Sequence, residues 1–283
     1  MAFKIALAQC SYPERICFDI AENASYDELT VDFYKQSALT QIEGFAERAK
    51  NAHANLLVLP EYMMCPYDLS AEEIRASAEC LDAEFITNVK KIARDNKIWI
   101  ICSMNERNSN TGESPFNTLV VIDVTGKIQS SYRKKHLFDC GESCESESYS
   151  PGRELFSPIK TPFGKIGLGT CYDLRFPEVA REQCIKGADI LIYPAAWYDG
   201  ENKIEQWHAL LKSRAIENDA YVVGVCRCDS GYIGNSCVYK PNGKLIALAN
   251  RHDCLLTADV RPDLVTQIRA KMPVLEHAKF ALA

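Results

Sequence analysis

The 283-residue chain has no run of eighteen apolar residues, so its sequence offers no transmembrane helix. It has no excess of positive charge either. Against 38 Asp and Glu stand 32 Lys and Arg, a formal net charge of −6, with no basic stripe or RNA-binding signature. Nucleic acid and anionic membrane are therefore not expected as partners. HExxH, GxSxG and P-loop patterns are absent, and the five His are scattered. Cys140-x-x-x-Cys144 and Cys226-x-Cys228 lack a second Cys/His pair at zinc-finger spacing, so neither a metal nor another cofactor is expected. No internal repeat, low-complexity tract or long linker breaks the chain. The N-terminal Met-Ala-Phe-Lys-Ile-Ala-Leu-Ala-Gln-Cys10 carries one Lys and a very short apolar stretch, and reads as a first strand, not as a signal peptide.

What the chain does have is thirteen cysteines, an odd number. It is too long to need disulfide staples, and Cys102 and Cys226 fall in apolar, strand-like runs. Free thiols in a reducing cytoplasm are expected. At 47% hydrophobic and 25% charged residues, composition is that of an ordinary globular protein. Short Val/Ile/Leu-rich runs predict strands over 4–9, 55–59, 98–103, 118–123, 165–169, 190–193, 221–226, 236–239, 245–248 and 255–260. Helical periodicity appears over 34–52, 71–78, 84–95, 177–186, 204–218 and 262–271. Pro-Asn-Gly243 marks a hairpin turn. The alternation predicts an α/β fold, one domain with helix-covered sheets, but leaves open one large sheet or two packed ones.

Three segments carry chemistry. Lys165-Ile-Gly-Leu-Gly-Thr-Cys-Tyr-Asp-Leu-Arg-Phe-Pro-Glu178 runs from a strand into Cys171, and its Pro-Glu reads as a helix start. A thiol at that junction gains N–H donors and a helix dipole, both of which favour the thiolate. Leu56-Leu-Val-Leu-Pro-Glu61 delivers a carboxylate at the end of an apolar run, and Tyr132-Arg-Lys-Lys-His-Leu-Phe138 is a basic cluster between aromatic residues. Taken singly, each has a bland reading: a buried structural cysteine, a loop carboxylate, a solvated lysine face.

In the order Glu, Lys, Cys, these segments resemble the nitrilase superfamily of carbon–nitrogen hydrolases, from about residue 6 to residue 273. The resemblance implies a four-layer α-β-β-α sandwich forming a single domain over 1–283, paired through a helical face into a homodimer or larger homo-oligomer. It implies Glu61, Lys134 and Cys171 as a catalytic triad, with Lys134 preferred to Lys135 by the pattern Tyr-x-Lys-x-His-Leu. A second glutamate is implied ahead of Pro-Gly152. Glu145 fits best, with Glu142 and Glu147 as alternatives. Cys-Tyr-Asp-Leu-Arg-Phe-Pro-Glu is similar to the omega-amidase and deaminated-glutathione-amidase branch, whereas nitrilases usually carry Trp-Glu after the cysteine.

The substrate so implied is a small linear amide carrying a carboxylate, cleaved through a thioester with release of ammonia. An N-carbamoyl amide, releasing ammonia and carbon dioxide, is the alternative. The backbone N–H of Tyr172 is expected to assist Lys134 at the oxyanion. Arg175 is a fork for the substrate carboxylate or else an ion-pair partner of Asp173 or Glu178. Asp173 and His136 read as structural groups that fix the turn and its loop. Ala195, Ala196 and Trp197 end a strand and are expected to line the pocket, with a core position as the alternative for Trp197, while Trp207 and His208 read as core or interface. Segment 11–31 looks long for the link between first strand and first helix, and is either an inserted cover over the site, an added subunit contact or a surface loop. The acidic loop 140–148 is a second departure from the family pattern.

Overall fold

A computed structural model describes residues 3–12, 26–66, 68–110, 112–141 and 143–279. In chain order its strands are β1 (Phe3–Gln9), β2 (Leu56–Val58), β3 (Trp99–Glu106), β4 (Phe116–Ile122), β5 (Ile128–Arg133), β6 (Asp139–Cys140), β7 (Ser143–Cys144), β8 (Ile159–Thr161), β9 (Gly164–Leu168), β10 (Ile190–Ala195), β11 (Tyr221–Cys226), β12 (Cys237–Tyr239), β13 (Leu245–Leu248) and β14 (Cys254–Val260). The helices are α1 (Tyr26–Asn51), α2 (Ala71–Ser77), α3 (Glu84–Asn96), α4 (Pro177–Ile185), α5 (Lys203–Asn218), α6 (Pro262–Lys271) and α7 (Val274–His277).

Two six-stranded sheets form, in the orders β14-β1-β2-β3-β4-β5 and β13-β12-β11-β10-β9-β8. Their centres are parallel, β1-β2-β3 in one and β9-β10-β11 in the other, and their flanks antiparallel. Strand side chains alternate between faces, and here both faces are apolar. Leu7, Val58, Ile101 and Leu119 of the first sheet meet Leu168, Ile190, Ile192 and Val223 of the second in the core between the sheets. Ala8, Leu57, Ile100 and Val120 face outward, onto Ile42 and Phe45 of α1 and Phe85 and Val89 of α3. On the other side Leu191, Tyr193 and Val222 pack with Ala180 of α4 and with Trp207, Leu211 and Ala215 of α5. The result is the helix–sheet–sheet–helix sandwich. Each fully buried Leu, Ile or Val contributes about 1.5–3 kcal/mol, which is why a sheet covered on both faces needs near-continuous apolar runs. Gly224 in mid-β11 lets α5 come close: a Cβ there would lie 2.5 Å from the Trp207 ring and 2.6 Å from Leu211.

The observed elements depart from the sequence expectation in identifiable places. β5 has only Tyr132 fully buried, and its polar Gln-Ser-Ser stretch hides the strand. β6, β7 and β8 are two or three residues long, too short for periodicity to register. α1 starts at Tyr26, eight residues before the expected position, so the end of segment 11–31 is helix; residues 13–25 lie outside the described residues. The hairpin at Pro-Asn-Gly243 is present between β12 and β13, with Gly243 at φ 76°. Among the described residues no helix is long and apolar enough to cross a membrane, and the twelve described cysteines are free.

Candidate active site

The exits of parallel strands from both sheets converge. Glu61 follows β2, Cys171 follows β9 and Ala196 follows β10, all at carboxyl ends, where open α/β sheets collect ligands. Lys134 is the first residue past β5, and Glu145 opens a 3-10 turn just after β7.

Lys134 Nζ donates to Glu61 Oε1 at 2.9 Å and to Glu145 Oε2 at 2.6 Å, and all three side chains are only 1% exposed. Asn117 Nδ2 donates to Glu61 Oε1 at 2.9 Å and to Glu145 Oε1 at 3.2 Å. Glu61 Oε2 accepts the Ala196 N–H at 2.8 Å. Glu145 also accepts from the Tyr62 hydroxyl at 2.6 Å and from the Phe138 N–H at 2.8 Å. Glu145 thus takes four donors, one for every lone pair a carboxylate offers, and Glu61 takes three. The free acceptor position belongs to Glu61. The main chain of Lys134 is held from both sides, its N–H by the Asn117 carbonyl and its carbonyl by the Gly152 N–H, each at 2.8 Å. Gly152 can have no side chain: a Cβ would stand 2.2 Å from the Arg133 carbonyl oxygen.

Cys171 has φ 42°, a left-handed conformation that costs a non-glycine residue on the order of 1–3 kcal/mol. A 3-10 turn, Cys171–Arg175, separates it from α4. Its turn is stapled to the lysine segment. Asp173 Oδ2 accepts from the Thr170 N–H and the Tyr132 hydroxyl, both at 2.8 Å, while Oδ1 pairs with His136 Nδ1 at 2.7 Å. His136 in turn stacks on Phe176 at 3.8 Å. Both residues act as the structural groups expected from sequence.

Burial, with Glu61 adding to it and Lys134 opposing, pushes the Cys171 thiol well above its ordinary value. Burial thus works against the thiolate that the donors and dipole of the turn favour. Burial also raises Glu61, Lys134 opposing and Glu145 adding. Burial works against charge on Lys134, but Glu145 and Glu61 outweigh it and hold the ammonium well above its usual range.

The pocket over this cluster is lined by Glu61, Tyr62, Lys134, Phe138, Ser143, Glu145, Cys171, Tyr172, Arg175, Ala196, Trp197, Tyr198 and Lys203. Of the residues predicted to bind substrate, Tyr172, Arg175, Ala196 and Trp197 line it. Ala195 does not: it is the last residue of β10, fully buried in the core under α5. Arg175 makes neither of the ion pairs weighed for it. Its Nη2 donates to Gln206 Oε1 at 2.7 Å, its guanidinium lies 4.8 Å over the Trp197 ring, and it has no carboxylate partner among the described residues. Lys135 turns away to the Arg153 carbonyl at 2.9 Å. Glu147 is exposed, and Glu142 lies outside the described residues. Among the described residues no group of three His, Cys, Asp or Glu is placed to hold a metal.

Sequence reasoning missed Asn117, Tyr62 and Lys203. An Asn inside the apolar run Phe116–Ile122 was a legible signal, since a buried amide demands partners. Lys203, in Asp199-Gly-Glu-Asn-Lys203, looks like any loop charge.

Residues 4–270 match the carbon–nitrogen hydrolase family. The chain is 36% identical over 236 residues to a deaminated glutathione amidase of Escherichia coli O157:H7, covering 83% of this chain and 88% of the relative. It is 32% identical over 266 residues to the omega-amidase NIT3 of Saccharomyces cerevisiae, covering 87% and 89%. The crystal structure of Saccharomyces cerevisiae Nit3, a member of branch 10 of the nitrilase superfamily, superposes with a TM-score of 0.81 at 29% identity, over 99% of this chain and 97% of that one. Matched over nearly its whole length, in sequence and in fold, the chain belongs to the carbon–nitrogen hydrolase family.

Proposed function

We propose that the protein hydrolyses the C–N bond of a small linear amide that carries a carboxylate, through a thioester on Cys171, releasing ammonia. The observation that carries this reading is the joining of Glu61, Lys134 and Cys171 in one pocket whose wall holds Arg175 and Lys203 without carboxylate partners among the described residues. In a chain of net charge −6, two such cations in one pocket fit an anionic substrate. Relatives named as amidases support the reaction type.

The steps follow from the donor inventory. Cys171 Sγ attacks the amide carbon as its proton passes to the free acceptor position of Glu61. The oxyanion accepts the one Lys134 N–H not engaged by a carboxylate, with the Tyr172 N–H as second donor; removing one such donor typically costs about 10²–10³ in rate. The C–N bond then breaks, Glu61 returns the proton to nitrogen, and ammonia leaves. A water, deprotonated by Glu61, adds to the thioester, the C–S bond breaks to free the acid, and Glu61 returns the proton to the Cys171 sulfur. Because Glu61 lies above its ordinary range, the acid limb of the rate profile is expected above the usual carboxylate region.

Exposed Ile185 of α4 and Ile216 of α5 support self-association through this helical face, and light scattering should give a mass of at least two chains. The free thiols support a reducing compartment. Ammonia release from a panel of omega-amides, N-carbamoyl amino acids and nitriles tests the reaction. Turnover of carboxylate-bearing amides is expected; activity confined to the carbamoyl compounds would replace this reading with the carbamoylase one.

A further inference from the structure

Asn117 is buried at 2% exposure in β4, where its neighbours of the same strand parity, Leu119 and Val121, fill the apolar core between the sheets. An apolar residue would suit that position better by burial alone, since a buried amide must find partners for its own polar atoms. The two hydrogens of its amide find one carboxylate each, Glu61 and Glu145. Both acceptors are carboxylate oxygens, so the nitrogen, not the oxygen, must face them. Lys134 spends two of its three N–H bonds on the same two carboxylates. The four side chains therefore form a closed ring, Glu61 to Lys134 to Glu145 to Asn117. The main chains of the two residues also meet: the backbone carbonyl of Asn117 accepts the Lys134 backbone N–H, because the β4–β5 register pairs Thr118 with Arg133 and sets 117 opposite 134.

We propose that Asn117 is a positioning residue for the reaction, closing this ring so that Glu61 stays a proton acceptor and the one unengaged N–H of Lys134 points into the pocket. Opening the ring leaves two buried carboxylates sharing a single cation. Glu145 would keep three donors, from Tyr62, Lys134 and Phe138, while Glu61 would keep only those of Lys134 and Ala196. The extra proton that such a pair draws in then settles on Glu61, the less supported carboxylate, and the base is lost.

The test uses the full chain with Asn117→Leu, which removes both donors, and Asn117→Asp, which keeps the shape and adds a third carboxylate. The first measurement is the pH dependence of Cys171 alkylation by iodoacetamide, followed by peptide mass, which needs no known substrate. The second is kcat and KM on the best amide of the panel, and so rests on the amidase reading. In each variant with a cooperative melt, the acid limb of the alkylation profile, below which a protonated Glu61 cannot take the thiol proton, is expected to move up by about one pH unit or more, the rough equivalent of one charge-assisted hydrogen bond. kcat is expected to fall about 100-fold, the loss typical of an unaimed oxyanion donor, with KM within about threefold. Folded variants whose alkylation profile stays at the wild-type pH, or whose kcat stays within about threefold of wild type, overturn the proposal. Failure of both variants to fold also overturns it, by assigning Asn117 to the core. If the wild type hydrolyses no amide, the reaction reading falls while the alkylation profile still decides Asn117.

Discussion

The floor and the wall of the pocket are built on opposite rules. On the floor Glu61, Lys134 and Glu145 are buried at 1% exposure, every charge has an opposite charge beside it, and Asn117 donates to both carboxylates. On the wall Arg175 and Lys203 are half-buried cations with neutral company, Gln206 and the Trp197 ring for one and the Phe138 ring at 6.0 Å for the other. Buried charges are tolerable only when paired and fully hydrogen-bonded, so the floor has little freedom to vary. Half-solvated cations cost little when left without an anion, so the wall is free to be matched to a ligand. In the proposed reaction the chemistry belongs to the floor and the choice of substrate to the wall.

The sharpest blow to the floor is Cys171→Ala. Turnover is expected to fall by about 10⁴-fold or more, with the melting temperature within a few degrees of wild type, since only a sulfur atom is lost. Activity above that level would remove the nucleophile from the scheme. Lys134→Met should also abolish turnover, and should destabilise the fold by about 3–5 kcal/mol at neutral pH, because two carboxylates are left facing each other without their cation. The variant should regain stability as pH falls. Burial already holds Glu61 above its unfolded value and the variant removes the cation that opposes this, so the folded state takes up a proton, and stability is present below the unfolded value and lost as pH rises through the folded one. Urea melts across pH 5–8 that show no such recovery would mean that the carboxylates are not a coupled pair.

Changes in the wall should be smaller and selective. Arg175→Lys and Lys203→Met are each expected to raise KM for carboxylate-bearing amides about tenfold, the worth of one hydrogen bond to a charged group, and to leave neutral amides within about twofold. Equal loss on both substrates would make these residues structural. The smallest effect belongs to Glu147→Ala, an exposed neighbour of Glu145, with kcat/KM and stability within about twofold and 0.5 kcal/mol of wild type. A larger effect would reopen the choice of second glutamate.

Much of this was legible before any coordinates. Apolar runs mark the parallel strands, because strands covered on both faces must be continuously hydrophobic, and Pro177 marks the start of α4. Strands β5 to β8 escaped because polar edges and two-residue pairings carry no periodic signal. Ala195 was misplaced because adjacent residues at a strand end point to opposite faces: it enters the core, while Ala196 turns its N–H to Glu61.

Residue identity and order alone marked the parallel strands, the family and the three candidate reactive groups, because these depend on local pattern and on which functional groups are present. Tertiary structure decided everything that depends on burial and on partners distant along the chain. It brought Asn117 and Ala196, 56 and 135 positions from Glu61, onto the same carboxylate. It buried Cys171 and turned Arg175 to Gln206. A hydrogen bond or a desolvation penalty belongs to a place in space, and only the folded chain creates that place.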